Sequence, residues 1–305
     1  MTTFLLRRVA QALLTIWIVA TLVFLLLHVA GDPAQILAPP DMTQIQVQEL
    51  RRELGLDRPL HVQYGLFLVN LARGDMGISY SSGRPALRLV LERLPATLEL
   101  VAVALAIALV VGVPLGVIAA LTAGRRLDRV LRFVSVIGIS APTFWIGIML
   151  ILVFSVETRL LPSSGRGTAA NLVLPAVTLS LFSVAFFLRI VRSSLLDVLQ
   201  LDYVRTARGK GLPRLTVNVK HALRNALIPF VTIAGLQFGQ LLTSSVVTET
   251  IFAWPGMNRL VLNAMYRLDY PIILAFAVVV AVIFTTINLI VDVIYGVIDP
   301  RVRHA

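Results

Sequence analysis

The chain has 305 residues, of which 57% are hydrophobic and only 14% are charged, and its formal net charge is +11. Soluble domains carry about 25% charged residues, so this composition indicates a membrane protein with several spans and excludes an ordinary soluble domain. Because the chain contains no cysteine, it has no disulfide, no thiolate nucleophile and no cysteine-bound metal.

The N-terminal segment, residues 1–30, is predicted to be the first transmembrane helix. Arg7 and Arg8 precede a mostly apolar run of about 22 residues, which as a helix covers roughly 33 Å and is long enough to cross a bilayer. The apolar region of a signal peptide is only roughly 7–15 residues long, so we expect a helix that is not cleaved.

Residues 31–94 are predicted to form an external segment that is a small subdomain or cap. Its seven Lys or Arg residues balance its seven Asp or Glu residues. Frequent prolines and glycines exclude one long helix, and short amphipathic helices are predicted at about 43–54 and 60–72.

Five further apolar segments follow, each long enough to span a bilayer, at about 97–121, 131–157, 171–192, 229–251 and 272–297. Together with the first helix they predict an all-α integral membrane protein with six transmembrane helices. Residues 95–305 would hold the core of five helices.

The distribution of Lys and Arg among the short loops predicts the orientation. The stretches at about 122–132 and 189–224 carry four and eight cations, whereas those at about 158–170 and 252–271 carry two each. Cytoplasmic loops carry the excess, so the basic loops and both termini are predicted to be cytoplasmic. This bias explains the net charge, and a nucleic acid is not an expected partner because Tyr203 is the only aromatic residue of the basic stretch.

Residues 195–228 form a basic loop in which two predicted short helices flank a break. Asp202 suits a helix N-cap, Gly209 and Gly211 suit a helix end, and Pro213 suits the first position of the next helix. In that second helix apolar residues recur at helical spacing on one face: Leu215, Val219, Ala222, Leu223, Ala226 and Leu227. The pattern predicts a helix at the cytoplasmic surface whose apolar face lies against the membrane bundle and whose other face is exposed. The cations of that helix would either hold it to anionic lipid or form part of a protein-docking site.

Sequence blocks along nearly the whole chain resemble one family. Thr206-Ala207 followed by Gly211 resembles the EAA loop of ABC-importer permeases, and YVRTARGKGL…KHALRNALIP is similar to its form in dipeptide, oligopeptide and nickel permeases. Further similar blocks are ELGLDRPL at 53–60, GDMG at 74–77, RLPATLE at 93–99, ETIFAWPG at 249–256, DYP at 269–271 and NLIVD at 288–292. The resemblance implies a type I ABC-importer permease fold with an external segment after the first helix.

The resemblance also implies a function and partners. The chain would form half of a translocation pathway for peptides or related small solutes, with nickel chelates and glutathione handled by some relatives. A second, homologous permease would complete a heterodimer, two cytoplasmic ABC ATPases would bind the ATP and Mg²⁺, and an extracytoplasmic binding protein would deliver the solute. The chain itself would hold no cofactor and would lie in a bacterial inner membrane, in contact with lipid.

Two groups of site residues follow from the resemblance. The ATPase-coupling loop would comprise Asp202, Tyr203, Val204, Arg205, Thr206, Ala207, Arg208, Gly209, Lys210, Gly211, Leu212, Pro213, His221, Arg224 and Asn225. An external gate or binding-protein contact would comprise Trp254, Pro255, Gly256, Asp269 and Tyr270. Arg205 stands where the loop's namesake acidic residue would be.

No catalytic or metal-binding constellation is expected. The phosphate-binding pattern GxxxxGK[ST] is absent, so ATP hydrolysis is expected on separate chains, and no two histidines have the i, i+4 spacing of a metal site. Ionised groups at a helix centre cost about 2.5–3.5 kcal/mol, which makes four polar residues in or near the spans functional candidates: Glu99, Glu249, Asn288 and Asp292. Glu99 and Glu249 are expected near the outer interface, and Asp292 either pairs inside the bundle or contacts substrate.

The rival hypothesis is a secondary transporter or channel that acts without ATPase subunits. Such proteins often show inverted repeats or intramembrane charges along a path, and the sequence shows no clear internal repeat. A lipid-anchored structural protein would explain the basic loop but not the family blocks.

Overall fold

The computed structural model describes residues 2–30, 34, 38, 42–53, 55–213 and 216–298. In this part of the chain the structure is helical, and its only β feature is an isolated bridge between Ile78 and Pro85. The α-helices are α1 Thr2–Ala30, α2 Gln44–Glu53, α3 Leu60–Ala72, α4 Ala86–Ile107, α5 Val113–Leu121, α6 Arg126–Ser140, α7 Thr143–Ile151, α8 Ala169–Leu199, α9 Asp202–Gly209, α10 Arg224–Ala226, α11 Ile228–Ile251, α12 Met257–Tyr266 and α13 Tyr270–Ile298. Ala108–Gly112, Leu152–Glu157 and Thr216–Leu223 are π-helical, and the first two continue α4 and α7.

The chain divides into two compact units. One consists of Met1–Pro95 and Gly256–Thr286, and the other of Ala96–Pro255 and Ile287–Ala305. The division predicted from the sequence, into 1–30, 31–94 and 95–305, stays a prediction.

Length and apolar composition qualify four described helical stretches as membrane spans: Arg8–Leu26, Ala86–Leu121, Ala169–Leu199 and Tyr270–Val291. The pair α6 and α7 adds a fifth if it counts as one span. The remaining predicted span coincides with α11, a helix of 24 residues that contains several glutamines, threonines and serines. The integral membrane fold is confirmed, while the count of six stays a prediction.

The predicted span at 131–157 is broken rather than gently kinked. α6 and α7 meet at an angle of 99°, and Ala141 and Pro142 between them have extended backbones with ψ of 129° and 128°. Proline disfavours helical geometry in the residue before it, so the helix ends ahead of Pro142.

Helix α8 is the centre of the second unit, with twelve buried residues. A Cβ added at Gly112 or at Gly116 would lie 2.8 Å from a backbone oxygen of α8, that of Val184 or that of Leu188. Glycines four residues apart therefore let α8 approach the α4–α5 stretch closely, as small residues do between membrane helices. The rings of Phe187 and Phe230 extend this core, with centroids 4.8 Å apart.

Candidate functional site

Helix α9 of the predicted coupling loop has one anchored face and one exposed face. Val204 and Ala207, one turn apart, are 0% and 9% exposed and form a cluster with Val217 against Val198 and Leu199 at the end of α8. The other side chains of α9 are exposed: Asp202, Tyr203, Arg205, Thr206 and Arg208. Helix α9 is thus attached to α8 by small apolar side chains while its polar and cationic side chains point away.

The turn after α9 confirms the break predicted at Gly209–Pro213. The backbone N–H of Lys210 donates to Thr206 and that of Gly211 to Arg208. Gly211 has a φ of +76°, in the left-handed region that glycine enters without steric cost. Lys210, Gly211, Leu212 and Pro213 are all exposed, so the turn continues the exposed surface of α9.

The segment after the turn differs from the predicted α-helix. Residues Thr216–Leu223 are π-helical, with a wider repeat than the α-helix, and the buried residues Val217 and Ala222 are five apart. The prediction that Val219 faces the bundle is wrong, since Val219 is 47% exposed. Ala222 and Ala226 do pack inward, against Ala120 and Leu195.

A hydrogen bond links the two halves of the loop. The side-chain amide of Asn225 donates to the Tyr203 hydroxyl over 2.9 Å, and Arg224 is exposed beside it. The side chain of His221 lies outside the described part of the chain.

A buried ion pair joins α8 to α6 in the same unit. Arg192 donates from Nε and Nη2 to the two carboxylate oxygens of Asp128, over 2.7 and 3.0 Å. The Asp128 side chain is 1% exposed and also accepts from the backbone N–H of Gly124 at 3.0 Å. Bidentate arginine–carboxylate pairs fix orientation as well as distance, so this pair holds the two helices in register.

Glu249, near the C-terminal end of α11, is fully buried in a polar cluster. The Thr97 hydroxyl of α4 donates to its Oε1 over 2.7 Å, and the Ser245 hydroxyl lies 3.4 Å from the same oxygen. Among the described residues the buried Thr248 hydroxyl has no hydrogen-bond partner. Glu249 thus links α11 to α4 through a polar contact inside an apolar unit.

Glu99 and Asn288 are less enclosed than Glu249. The Glu99 carboxylate, 39% exposed, pairs with the Arg166 guanidinium at 2.6 Å, as suits the position near an interface that the sequence predicts. Asn288 is half-buried. The side chain of Asp292 lies outside the described residues.

Trp254 is a core residue of the second unit. Its side chain is 1% exposed, its indole N–H donates to the Ala96 carbonyl over 2.8 Å, and the Arg166 guanidinium lies 5.9 Å from its ring centroid. Pro255 beside it is half-buried. The role of Trp254 in an external gate or binding-protein contact stays a prediction.

In the first unit, Asp269 accepts hydrogen bonds from Ser79, Tyr80 and Ser81, and we call these four residues the clasp. Asp269 is fully buried, and its Oδ2 accepts from the hydroxyls of Ser79 and Ser81 at 2.7 Å each and from the Ser81 N–H at 3.0 Å. Its Oδ1 accepts from the Tyr80 N–H at 3.2 Å. The turn at residues 79–82 is thereby fixed to the start of α13, so Asp269 is a structural residue of this unit.

The rings of Tyr80 and Tyr270 flank the clasp, with centroids 6.5 Å apart. Burial, followed by the charge of Asp269 and by Tyr270, raises the pKa of the Tyr80 phenol to about 12. Tyr270 is itself 7% exposed, and Gly256 is buried too. The predicted external contact residues are therefore mostly interior.

Comparison with known proteins gives the family. Residues 112–304 match the family described as "Binding-protein-dependent transport system inner membrane component", and residues 1–101 match "Binding-prot-dependent transport system membrane comp, N-term". The chain belongs to this permease family. Because the chain belongs to this family, the rival hypothesis of a secondary transporter or channel acting alone is rejected.

The permease is similar over all or nearly all of its length to other transport permeases. The glutathione transport system permease protein GsiC of Escherichia coli O6:H1 is 41% identical over 305 residues, with 100% of both chains covered. The probable D,D-dipeptide transport system permease protein DdpB of E. coli K12 is 38% identical, covering 93% of this permease and 92% of the relative. The chain is a permease subunit of an ABC importer and a transport subunit of the inner membrane.

Solved structures agree on the fold. The MetNI methionine ABC transporter in an inward-facing conformation matches with a TM-score of 0.58 and 21% identity, covering 69% of the permease and 96% of that chain. A second crystal form of that transporter matches with a TM-score of 0.59. The predicted type I importer permease fold is thereby confirmed.

Several candidate functional residues were not predicted from the sequence. Met265 and Tyr266, at the end of α12, are 56% and 81% exposed, whereas the motif residues around them are buried; the amphipathic pattern of α12 was the available signal. The Asp128–Arg192 pair, 64 residues apart in sequence, had no local signal because only the fold brings its members together.

Proposed function

We propose that this permease pairs with a second, homologous permease to form the pathway of a peptide-class importer, driven by two ATPase subunits and supplied by a binding protein. The observation that carries this proposal is the two-sided α9. A surface that receives a push from a partner needs exposed side chains on one face and a firm attachment to a membrane helix on the other, and α9 has both.

The proposed coupling path runs from α9 into two membrane helices. Force applied at the exposed face reaches α8 through Val204 and Ala207, which pack on Val198 and Leu199. The Arg192–Asp128 pair then passes the movement of α8 to α6. Alternating access by rigid elements of this kind needs a bistable assembly biased by partner binding, which ATP-driven closure of the ATPases would supply.

The proposed substrate class is small peptides, glutathione included, and rests on the relatives. GsiC is named for glutathione transport and DdpB for D,D-dipeptide transport. The two are similarly distant from this chain, so a screen of both solute types, with the binding protein present, discriminates between them.

We further propose that both termini and α9 are cytoplasmic and that α12 faces the binding protein. The excess of arginine and lysine around α9 supports the first part. The exposed Met265 and Tyr266 support the second, since aromatic residues and methionine are enriched in protein interfaces.

Leu212 provides the test of docking. It is 40% exposed on the turn after α9, so Leu212→Asp should leave the fold intact, whereas a charge at buried Ala207 would disturb α9 itself. We expect Leu212→Asp to lose co-purification of the ATPase subunits and to reduce ATP-dependent uptake at least tenfold, which corresponds to about 1.4 kcal/mol of coupling free energy.

The matched control is Leu160→Asp, which places the same charge at a leucine that is 71% exposed in the loop predicted on the opposite side. It should retain the ATPases. Retention of the ATPases and of full uptake in Leu212→Asp would refute the docking assignment.

A further inference from the structure

Helix α3 (Leu60–Ala72) is apolar, but its side chains are only partly covered by the rest of the chain. Its 13 residues include no Asp, Glu, Lys or Arg, and none of them is buried. Crossing a bilayer takes about 20 residues, so α3 is too short to span. The apolar side chains of such a helix must be covered by something other than its own chain.

One face of α3 packs on the membrane helix α1. The Tyr64 hydroxyl lies 2.8 Å from the Thr21 hydroxyl, and the Phe24 ring centroid is 5.3 Å from that of Tyr64 and 5.1 Å from that of Phe67. Tyr64 and Phe67 are one turn apart, so a single face of α3 makes this contact.

The opposite face of α3 carries an apolar stripe. Val62, Leu66 and Val69 are spaced i, i+4 and i+7 and therefore share one side of the helix. Their exposed fractions are 36%, 43% and 47%. The polar side chains of Gln63 and Asn70, seven residues apart, lie together along the edge between the two faces.

The contact with α1 places α3 beside a membrane span. Thr21 and Phe24, which contact Tyr64 of α3, both lie within the stretch of α1 that is long and apolar enough to cross a bilayer. Helices that lie in the membrane interface are buried about 5–10 Å into the boundary between headgroups and acyl chains, and α3 is therefore attached where such a helix would lie.

The neighbouring surface and the flanking charges also fit lipid. Leu22, Leu25 and Leu26 of α1 are 54%, 45% and 66% exposed, so the helix on which α3 packs itself presents apolar side chains of the kind that a membrane span offers to acyl chains. Arg58 and Arg73 stand exposed just beyond the two ends of α3, where long cationic side chains reach lipid phosphates.

We propose that α3 is an interfacial helix whose Val62–Leu66–Val69 stripe is covered by lipid acyl chains. It would hold the segment after α1 at the membrane surface. This assignment depends neither on which side of the membrane α3 lies nor on the proposed coupling function.

The test measures the surroundings of single side chains in the assembled importer. Because the chain has no cysteine, one nitroxide can be attached at Leu66→Cys in vesicles of phosphatidylethanolamine and phosphatidylglycerol. Collision rates with oxygen, which concentrates in hydrocarbon, are compared with those of a water-soluble nickel chelate. Leu22→Cys of α1 is the lipid reference, and Ile45→Cys of α2, 74% exposed, is the water reference.

We expect the oxygen-to-nickel ratio at Leu66 to match that at Leu22 and to exceed that at Ile45 several-fold. Val69→Cys and Asn70→Cys repeat the test on adjacent residues, and the ratio should fall from Val69 to Asn70. A ratio at Leu66 equal to that at Ile45 would mean that the stripe faces water. Low collision rates with both reagents would mean that a protein covers it, and either result would overturn the proposal.

Discussion

Trp254 and Tyr266 both lie in the stretch at about 252–271, but their surroundings are opposite. Trp254 is 1% exposed and hydrogen-bonded, whereas Tyr266 is 81% exposed. We expect Tyr266→Ala to weaken binding-protein association and slow uptake several-fold with unchanged thermal stability. Trp254→Ala should lower the free energy of unfolding by about 3–5 kcal/mol, as large core deletions do.

Association of the labelled binding protein and the melting temperature separate these two effects. Normal docking and uptake by Tyr266→Ala would remove Tyr266 from the proposed contact. A stable Trp254→Ala variant would show that the indole is not a core anchor.

Asp269 is predicted to stabilise the first unit through its acceptor oxygens. In Asp269→Asn one oxygen becomes an NH₂ group, so either the donors at Ser79 and Ser81 or the N–H of Tyr80 would face another donor. Unsatisfied buried donors cost about 1–3 kcal/mol, and we expect a clearly lower melting temperature. Asp57→Asn, at an exposed carboxylate, is the matched control, and equal melting temperatures for the two variants would contradict the role of the clasp.

At the scale of the helix, apolar run length predicted most of the membrane-embedded elements, and α2 and α3 were predicted as short amphipathic helices. It missed features that depend on neighbours along or across the chain. The break at Ala141–Pro142 follows from a local rule on the residue before proline, but whether a proline bends or breaks a span depends on packing. The residue types of Thr216–Leu223 do not distinguish a π-helix from an α-helix. The α-helical repeat was therefore assumed, and Val217 was not predicted to face inward.

The site was predicted less completely than the fold. The loop motif located α9 and its break at Gly211, because glycine and proline impose backbone geometry locally. The division of α9 into an anchored and an exposed face required the end of α8, and the clasp at Asp269 required a turn that lies 190 residues away from it in sequence, at Ser79. Sequence motifs mark such residues without separating structural roles from contact roles.

The Asp128–Arg192 pair gives a prediction for how α8 and α6 move together. Asp128→Asn leaves Arg192 with a weaker partner in a largely buried position, and removing one member of a buried pair costs about 3–5 kcal/mol. We expect lower thermal stability and less solute transported per ATP, while the ATPases remain bound. Arg132→Gln is the control, because Arg132 is 51% exposed and lies 3.5 Å from Asp128, and exposed pairs contribute about 0–1 kcal/mol.

Equal effects of Asp128→Asn and Arg132→Gln would show that the pair with Arg192 has no special weight. Lower stability with unchanged transport per ATP would limit the pair to a structural role.

For the whole molecule, the family assignment establishes that the chain is an importer permease, and the structure shows which of its helices contact one another. We propose that partner ATPases supply the energy and that α9 is the surface that receives it. From there the contacts lead through α8 to α6, all within one compact unit. The central claim is therefore that the exposed face of α9 touches an ATPase subunit.

Photo-crosslinking from α9 in the assembled importer tests that claim most directly. A benzophenone attached at Arg208→Cys, on the exposed face, should form an adduct with the ATPase subunit, whereas the same group at Tyr266→Cys should not. Uptake by each labelled importer confirms that it is assembled. If the importer transports with ATP but Arg208→Cys gives no ATPase adduct, or if Tyr266→Cys gives one, the account of coupling through α9 is contradicted.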